Sequence, residues 1–256
     1  IYKMYTAFEV QKENGMVIRG RHYIAEKETD RMILCHGFTA SMEETEKYSE
    51  RLVSMGISTW IFDFCGGGFH TISDGDFHTY MTPLTEVEDL TEVVEYVLRK
   101  ENRKSVCIGG CSQGGFVSAV YAAEFPEKVK KLVLLYPALC IPDDARKGSM
   151  QVITFDPQHI ADVVGAMPMQ VSGKYPRSVI DMDVYELIVK YTGSVLLLHG
   201  DKDAIVPVKY ADKAAEVYAQ CTYHVLKGAP HGFYEEPYMS DALNYIHIFL
   251  KQIAEM

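Results

Sequence analysis

One stretch constrains this chain more than any other: Ser105-Val106-Cys107-Ile108-Gly109-Gly110-Cys111-Ser112-Gln113-Gly114-Gly115-Phe116. A short β-branched and apolar run stops at Ser112, small residues crowd both sides of it, and a helix-forming run, Phe116 to Glu124, follows at once. The pattern predicts a strand, a tight turn and a helix. Within it, Gly110-Cys111-Ser112-Gln113-Gly114 fits G-x-S-x-G. In that motif the serine occupies a strained strand-to-helix turn, and the flanking glycines let neighbouring backbone pass close by. A glycine-rich turn holding an ordinary serine is the plain alternative. The strand before and the helix after favour a nucleophile, with its hydroxyl presented at the mouth of a sheet.

A chain of 256 residues suits one large α/β domain with room for an insertion. No apolar run approaches the roughly 20 residues that span a bilayer, and the N-terminus lacks a basic segment followed by an apolar one. The expectation is a cytoplasmic protein with no membrane partner, although a first residue of Ile leaves the native start open. The net charge of −10, without a Lys/Arg stripe, argues against nucleic acid. Cys35, Cys65, Cys107, Cys111, Cys140 and Cys221 fall mostly in apolar strand-like runs without C-x-x-C spacing. They read as buried thiols and not as zinc ligands or a disulfide framework.

Along the chain, strand and helix patterns alternate. Tyr2 to Val10 and Met16 to Ala25, joined around Asn14-Gly15, predict an antiparallel hairpin at a sheet edge. Arg31 to Cys35 is the continuous apolar run of a strand covered on both faces. Glu43 to Met55 has helical spacing, Ser58 to Phe64 predicts a strand, and Leu84 to Arg99 a helix with Val87, Leu90, Val94 and Val97 inward. After the serine unit come strands at Leu132 to Leu135, Val195 to Leu198 and Tyr223 to Leu226. Helices follow near Val208 to Ala219 and towards Ile253. Repeated β-α units imply an α/β fold with a mostly parallel, doubly wound sheet. The segment between Leu135 and Val195 breaks the alternation. It carries Pro137, Pro142, Pro157, Pro168 and Pro176 and is far longer than an ordinary connection. Leaving the sixth strand, it would overhang the strands' carboxyl ends, where ligands bind in open α/β sheets.

A serine needs a base, and the base an orienting group. Of nine histidines, His231 stands out, in a Gly228-Ala229-Pro230-His231-Gly232-Phe233 loop after the last apolar strand. His199 ends a strand and is assigned no role. For the acid, Gly200-Asp201-Lys202-Asp203 before Val206-Pro207 puts two carboxylates on one tight loop. Asp203, held by the glycine turn and the following Val-Pro, is favoured over Asp201, which suits a turn former. The oxyanion would be met by the backbone N–H of Gln113, at a helix start. The second donor would be the backbone N–H of Phe38 in His36-Gly37-Phe38, after the strand Arg31 to Cys35. His36 itself reads as stabilising that turn.

The order Ser112, Asp203, His231, together with His36-Gly37-Phe38-Thr39, the G-x-S-x-G pentapeptide and Gly200 to Pro207, resembles the α/β-hydrolases over nearly the whole chain. It is most similar to the bacterial cinnamoyl (feruloyl) esterases. That closer likeness rests on the insertion, with Pro137-Ala138, Ile141 to Gly148 and Phe155-Asp156-Pro157-Gln158-His159-Ile160. The resemblance implies an α/β-hydrolase core in two parts, 1–137 and 184–256, around a cap at 138–183. In that family the cap holds an aromatic acyl group, and the resemblance places Asp144 (or its neighbour Asp143), Gln151 and Tyr175 against the phenolic hydroxyl. Two departures stand out. Cys111 replaces the histidine common before the nucleophile, and Asp63 to Gly75 loses a histidine and gains residues. The reading is a serine carboxylic ester hydrolase for hydroxycinnamate esters. It requires no cofactor or metal, its partner is a small-molecule ester, and a homodimer is the candidate assembly. The alternatives are a monoacylglycerol lipase or short-chain acyl esterase, and a binding module with a dead site.

Overall fold

The structure is a computed structural model, described here for residues 5–252. The chain opens with a hairpin, β1 (Tyr5–Gln11) and β2 (Val17–Tyr23), paired antiparallel through Tyr5 with Tyr23 and Gln11 with Val17. The start expected at Tyr2 lies outside the described residues. Then follow β3 (Asp30–Cys35), α1 (Met42–Ser54), β4 (Ile57–Phe62), α2 (Pro83–Glu101), β5 (Val106–Cys111), α3 (Gln113–Glu124) and β6 (Val129–Leu135). After a long excursion the core resumes with β7 (Ser194–Gly200), α7 (Lys209–Val217), β8 (Gln220–Leu226) and α8 (Tyr238–Lys251). The last helix was expected to run towards Ile253, which lies outside the described residues.

These eight strands form one sheet in the order β1-β2-β4-β3-β5-β6-β7-β8, antiparallel at β1-β2-β4 and parallel from β4 onward. β4 and β5 are buried at every residue, as expected of strands covered on both faces; in β4 this includes the polar Ser58 and Thr59. One face packs on α2, α3 and α7 through residues such as Leu90, Val94, Phe116, Val120 and Ala211. The other packs on α1 and α8 through Tyr48, Leu52, Leu243 and Ile246. α2 starts sharply because Thr82 and Thr85 cap each other reciprocally and Pro83 opens the first turn. α3 begins three residues earlier than its apolar run suggests. Gly114 and Gly115 are poor helix signals, but both are buried, as is Gln113.

The excursion between β6 and β7 contains α4 (Ile141–Lys147), two hairpins of two-residue strands, α5 (Lys174–Val179) and α6 (Val184–Ile188). Arg146 ties α4 to the segment after α5 by donating to the carbonyls of Ile180 and Met182 at 2.9 Å each. α6 packs on α3 and α7, whereas α4 and α5 pack on each other, with α5 also resting on α2. We therefore propose residues 138–183 as the cap and everything else as core. No helix among the described residues is long and apolar enough to cross a membrane.

The hairpin is fastened to the core by a buried ion pair, Lys12 with Asp89 of α2. Lys12 also donates to the hydroxyl of Tyr80 at 3.0 Å, and Asp89 accepts the backbone N–H of Cys65 at 2.7 Å. Removing one partner of such a pair leaves a buried charge uncompensated. Lys12→Met is expected to lower unfolding stability by about 3–5 kcal/mol in urea denaturation, and Lys12→Met/Asp89→Leu to recover most of it. If the double variant were no more stable than the single one, this account of the pair would fail.

Candidate active site

Ser112 stands between β5 and α3 with φ 52° and ψ −117°, a conformation that side chains other than glycine's rarely adopt. The sequence around it makes this turn feasible. A Cβ at Gly110 would lie 2.2 Å from the carbonyl oxygen of Gly114, and one at Gly114 would lie 2.4 Å from the carbonyl oxygens of Cys35 and His36. Strand, helix and the loop after β3 are thus packed backbone on backbone. The Ser112 N–H donates to Leu135 at 3.0 Å and its carbonyl accepts from Ala138 at 2.9 Å, which fixes the turn against β6.

The structure brings Ser112, His231 and Asp203 together. Ser112 Oγ lies 2.9 Å from His231 Nε2, and His231 Nδ1 lies 2.7 Å from Asp203 Oδ2. With Nδ1–H donating to the carboxylate, Nε2 is left to accept the serine proton. His231 hangs in the loop after β8, and its ring packs edge-on against Tyr136 at a centroid distance of 4.9 Å. Tyr136 is steadied in turn by its hydroxyl contact with Tyr48 at 3.1 Å and by Phe233.

Asp203 sits past the end of β7 with every acceptor direction occupied. Oδ1 accepts the backbone N–H groups of Ile205 at 2.9 Å and Val206 at 2.8 Å, while Oδ2 meets His231 and, at 3.2 Å, His199 Nε2. Burial by itself would raise this carboxyl. The hydrogen bonds from His199 and His231 and the charge of His231 overcome it and hold Asp203 well below the usual carboxylate range. Asp201 is elsewhere, accepting the backbone N–H of Gly228 at 2.6 Å, a turn contact. His199, given no role from sequence, is fully buried and shares its Nε2–H between Asp203 and the Val206 carbonyl at 2.8 Å. Its only sequence signal was the spacing of four to Asp203 across a glycine turn.

The N–H of Gln113 is the first of α3, and first-turn amides have no intrahelical acceptor. Phe38 follows Gly37, where an added Cβ would lie 3.2 Å from Ser112 Cβ, so the loop after β3 runs alongside the serine. Glu44 of α1 pins that loop by accepting the Gly37 N–H at 2.6 Å, and its other oxygen accepts from the Tyr234 hydroxyl. His36 is buried, with Nδ1 on the Gly37 carbonyl at 2.8 Å and Nε2 accepting the Phe64 N–H at 3.1 Å. Both ring nitrogens are engaged in the turn. The unusual loop Asp63 to Gly75 packs against this one, with Gly68 bridged to Thr39 and Asp63 accepting from Met42 and Ile72. Cys111 is completely buried, and burial pushes its thiol well above the ordinary range. Such a thiol is inert as a nucleophile.

A narrow cleft leads from Ser112 into the cap. Its walls are apolar at Phe38, Ile141, Met150, Ile153 and Val206 and polar at Asp144, Gln151 and Tyr175. Asp144, whose carboxyl is raised by burial, faces the cleft and the thiol of Cys140. Asp143 instead pairs with Arg146 at 2.5 Å and accepts from the Tyr210 hydroxyl at 3.0 Å, outside the cleft lining. Gln151 is exposed, at a tight turn with φ 55°. Tyr175 is buried, but its hydroxyl is already donated to the Gln113 side chain, a contact between distant positions that no local pattern signals. No group of three or more His, Cys, Asp or Glu suited to a metal ion occurs among the described residues.

Comparison with known proteins places this geometry. The sequence profile of the alpha/beta hydrolase fold family matches residues 30–159. A monoacylglycerol lipase of Mycolicibacterium smegmatis is 23% identical over 235 residues, covering 80% of this chain and 82% of the relative. Among solved structures, Est1E from Butyrivibrio proteoclasticus with ferulic acid bound superposes with a TM-score of 0.87 at 27% identity, covering 97% of this chain and all of that one. The monoacylglycerol lipase of Paleococcus ferrophilus, at 21% identity and a TM-score of 0.72 over 91% of this chain and 98% of its own, shares the fold. With half of its length matching the family profile and a mostly parallel central sheet flanked by helices, the chain belongs to the alpha/beta hydrolase fold family.

Proposed function

We propose that the protein is a serine carboxylic ester hydrolase whose acyl group is a hydroxycinnamate. The observation that carries the reading is the hydrogen-bonded line Ser112–His231–Asp203 at the mouth of a cleft that is apolar along its walls and polar at Asp144 and Tyr175. Ser112 Oγ attacks the ester carbonyl while His231 Nε2 takes its proton. His231 then returns that proton to the departing alcohol, leaving an acyl-enzyme. Water, deprotonated by the same nitrogen, attacks the acyl carbon and releases the acid and Ser112. Asp203 keeps His231 in the tautomer with Nδ1–H and stabilises its charged form. The amides of Gln113 and Phe38 hold the oxyanion, each contributing about 3–4 kcal/mol to the transition state.

An aromatic acyl group is favoured by Phe38 and the aliphatic side chains lining the cleft, against which a planar ring can pack. A phenolic hydroxyl would find acceptors at Asp144 and Tyr175, with the Gln151 amide beside them. Support also comes from the ferulic acid bound to the similar Est1E. A second reading, an aliphatic acyl chain as in a monoacylglycerol lipase, is favoured by the preponderance of apolar lining and by the lipase relative.

Three outcomes test the assignment. Ser112→Ala is expected to abolish hydrolysis of an activated acetate ester and Cys111→Ala to spare most of it; a dead Cys111 variant beside an active Ser112 variant would reassign the nucleophile. Asp203→Asn should lower kcat by about 10⁴-fold, since the imidazole loses both its tautomer and its charge partner. Asp201→Asn, which alters only a turn, should change kcat little, and the reverse order would move the role. For substrate class, an unmade buried hydrogen bond of about 1–3 kcal/mol predicts a roughly 5- to 150-fold preference in kcat/KM for methyl ferulate over methyl 3,4-dimethoxycinnamate. Asp144→Leu/Gln151→Met should erode that preference and leave the acetate ester nearly unaffected. Equal rates on the two cinnamates, with rates on aliphatic esters rising with chain length, would establish the lipase reading instead.

A further inference from the structure

One carboxyl group outside the triad touches both loops that flank Ser112. Glu44, in the first turn of α1, accepts the backbone N–H of Gly37 on Oε2 at 2.6 Å and the hydroxyl of Tyr234 on Oε1. Gly37 belongs to the loop after β3, and Tyr234 to the loop that carries His231.

On the first side, Gly37 is the residue at which the loop is least constrained by its own chemistry, because glycine has the widest range of φ and ψ. A Cβ there would crowd Ser112 Cβ at 3.2 Å and Glu44 Oε2 at 3.3 Å, which favours a residue with no side chain. The peptide after Gly37 is held by its carbonyl, which accepts from His36 Nδ1 at 2.8 Å and from the Ala40 N–H at 3.2 Å. A trans peptide is planar with its C=O and N–H opposed, so fixing that carbonyl aims the Phe38 N–H the other way. The peptide before Gly37 is held by Glu44. With both planes anchored, a flexible residue presents a fixed donor. Released at Glu44, rotation about Gly37 would re-aim the Phe38 N–H.

On the second side, Gly232 follows His231 at φ 90°, and a Cβ there would lie 2.3 Å from Tyr234 Cε2. The tyrosine ring therefore lies against the backbone next to the base. Lys47, also on α1, places its Nζ 4.8 Å from the centre of that ring. Ring and hydroxyl together tie the histidine loop to α1.

We propose that Glu44 is a positioning residue that holds the oxyanion loop and the histidine loop in register with Ser112 through its hydrogen bonds to Gly37 and Tyr234. The inference rests on the serine-hydrolase reading, in which the Phe38 N–H meets the oxyanion and His231 moves the proton. Both interactions reach full strength only in the transition state, so their misalignment lowers kcat and leaves KM. Glu44 is not among the residues lining the acyl cleft, so its loss leaves that cleft as it is.

The test measures kcat and KM with 4-nitrophenyl acetate, which needs no particular acyl pocket, for Glu44→Leu, Glu44→Gln, Tyr234→Phe and Glu44→Leu/Tyr234→Phe. Removing an oxyanion donor costs about 10²- to 10³-fold in kcat, so a donor left in place but no longer aimed should cost about 30-fold in Glu44→Leu, with KM within about twofold of wild type. Tyr234→Phe, which frees the histidine loop alone, should cost about fivefold in kcat. Glu44→Gln keeps an acceptor for Gly37 and offers its NH2 group to the Tyr234 oxygen, so its kcat is expected within about threefold of wild type. The two arms meet in one carboxyl, and the double variant should therefore be no slower than Glu44→Leu. A wild-type kcat in Glu44→Leu, a loss confined to KM, a Gln variant as slow as the Leu variant, or losses that multiply in the double variant would each overturn the proposal. If Glu44→Leu does not fold, Tyr234→Phe decides, and a wild-type kcat there overturns it. An active Ser112→Ala would instead defeat the serine-hydrolase reading itself.

Discussion

The backbone contact between β5, α3 and the loop after β3 is the constraint on which the site depends. A residue at φ 52° and ψ −117° carries about 1–3 kcal/mol of strain, and it persists because its surroundings over-determine it. Ser112 is held from three sides. Its N–H is on Leu135 of β6, its carbonyl receives Phe116 of its own helix and Ala138 at the root of the cap, and Gly114 lies against Cys35 and His36. One turn therefore positions three functional parts at once: the serine hydroxyl, the first free amide of α3, and the point where the cap leaves the sheet. A side chain at residue 110 or 114 would separate all three, which is why a five-residue pattern carries so much information about a chain of 256.

Two buried carboxyls near this turn are driven in opposite directions by their neighbours. Asp203 accepts four N–H groups and is held ionised. Because its folded pKa is depressed, it contributes stability above the ordinary aspartate range, and that contribution is lost as pH falls through and below that range. Glu86 has only the Gln113 amide against complete burial and is held neutral. The difference suits their places. Beside His231 a fixed negative charge is useful, since it steadies the imidazolium. At the fully buried Glu86, an uncompensated charge would be costly.

Much of this was readable from residues because it is local. The apolar runs within β3, β5, β6 and β7, the G-x-S-x-G turn and the two acids on one loop each express themselves within a dozen positions. Asp203 could be preferred to Asp201 because Val206 and Pro207 stiffen the backbone that donates to it. Contacts between distant elements were not readable. His199 is four residues from Asp203 but turns towards it only because β7 ends there, and a histidine closing a strand has many equally ordinary uses. Glu86 occurs in a helix whose polar face is rich in acids, and nothing in its neighbourhood distinguishes the one that turns inward to Gln113. The cap was legible as an interruption, through its prolines and length, but its short hairpins and helices were not, because segments of two to seven residues are too brief for a period to emerge.

Gln113 joins what the sequence treats as separate parts. Its backbone opens α3 beside Ser112, while its side chain spans from Glu86 in the core to Tyr175 in the proposed cap. A cap held only by apolar packing could shift over the core at small cost, since such contacts are non-directional. A hydrogen bond from Tyr175 to the residue beside the nucleophile is directional, and it fixes one wall of the acyl cleft relative to Ser112. Recognition of the acyl group and its orientation for attack are then coupled through a single residue. On the proposed hydroxycinnamate reading, the distance from the polar groups of the cap to the ester carbonyl is set by the protein and not by the ligand, so an acyl group of the wrong length would satisfy one end only by leaving the other.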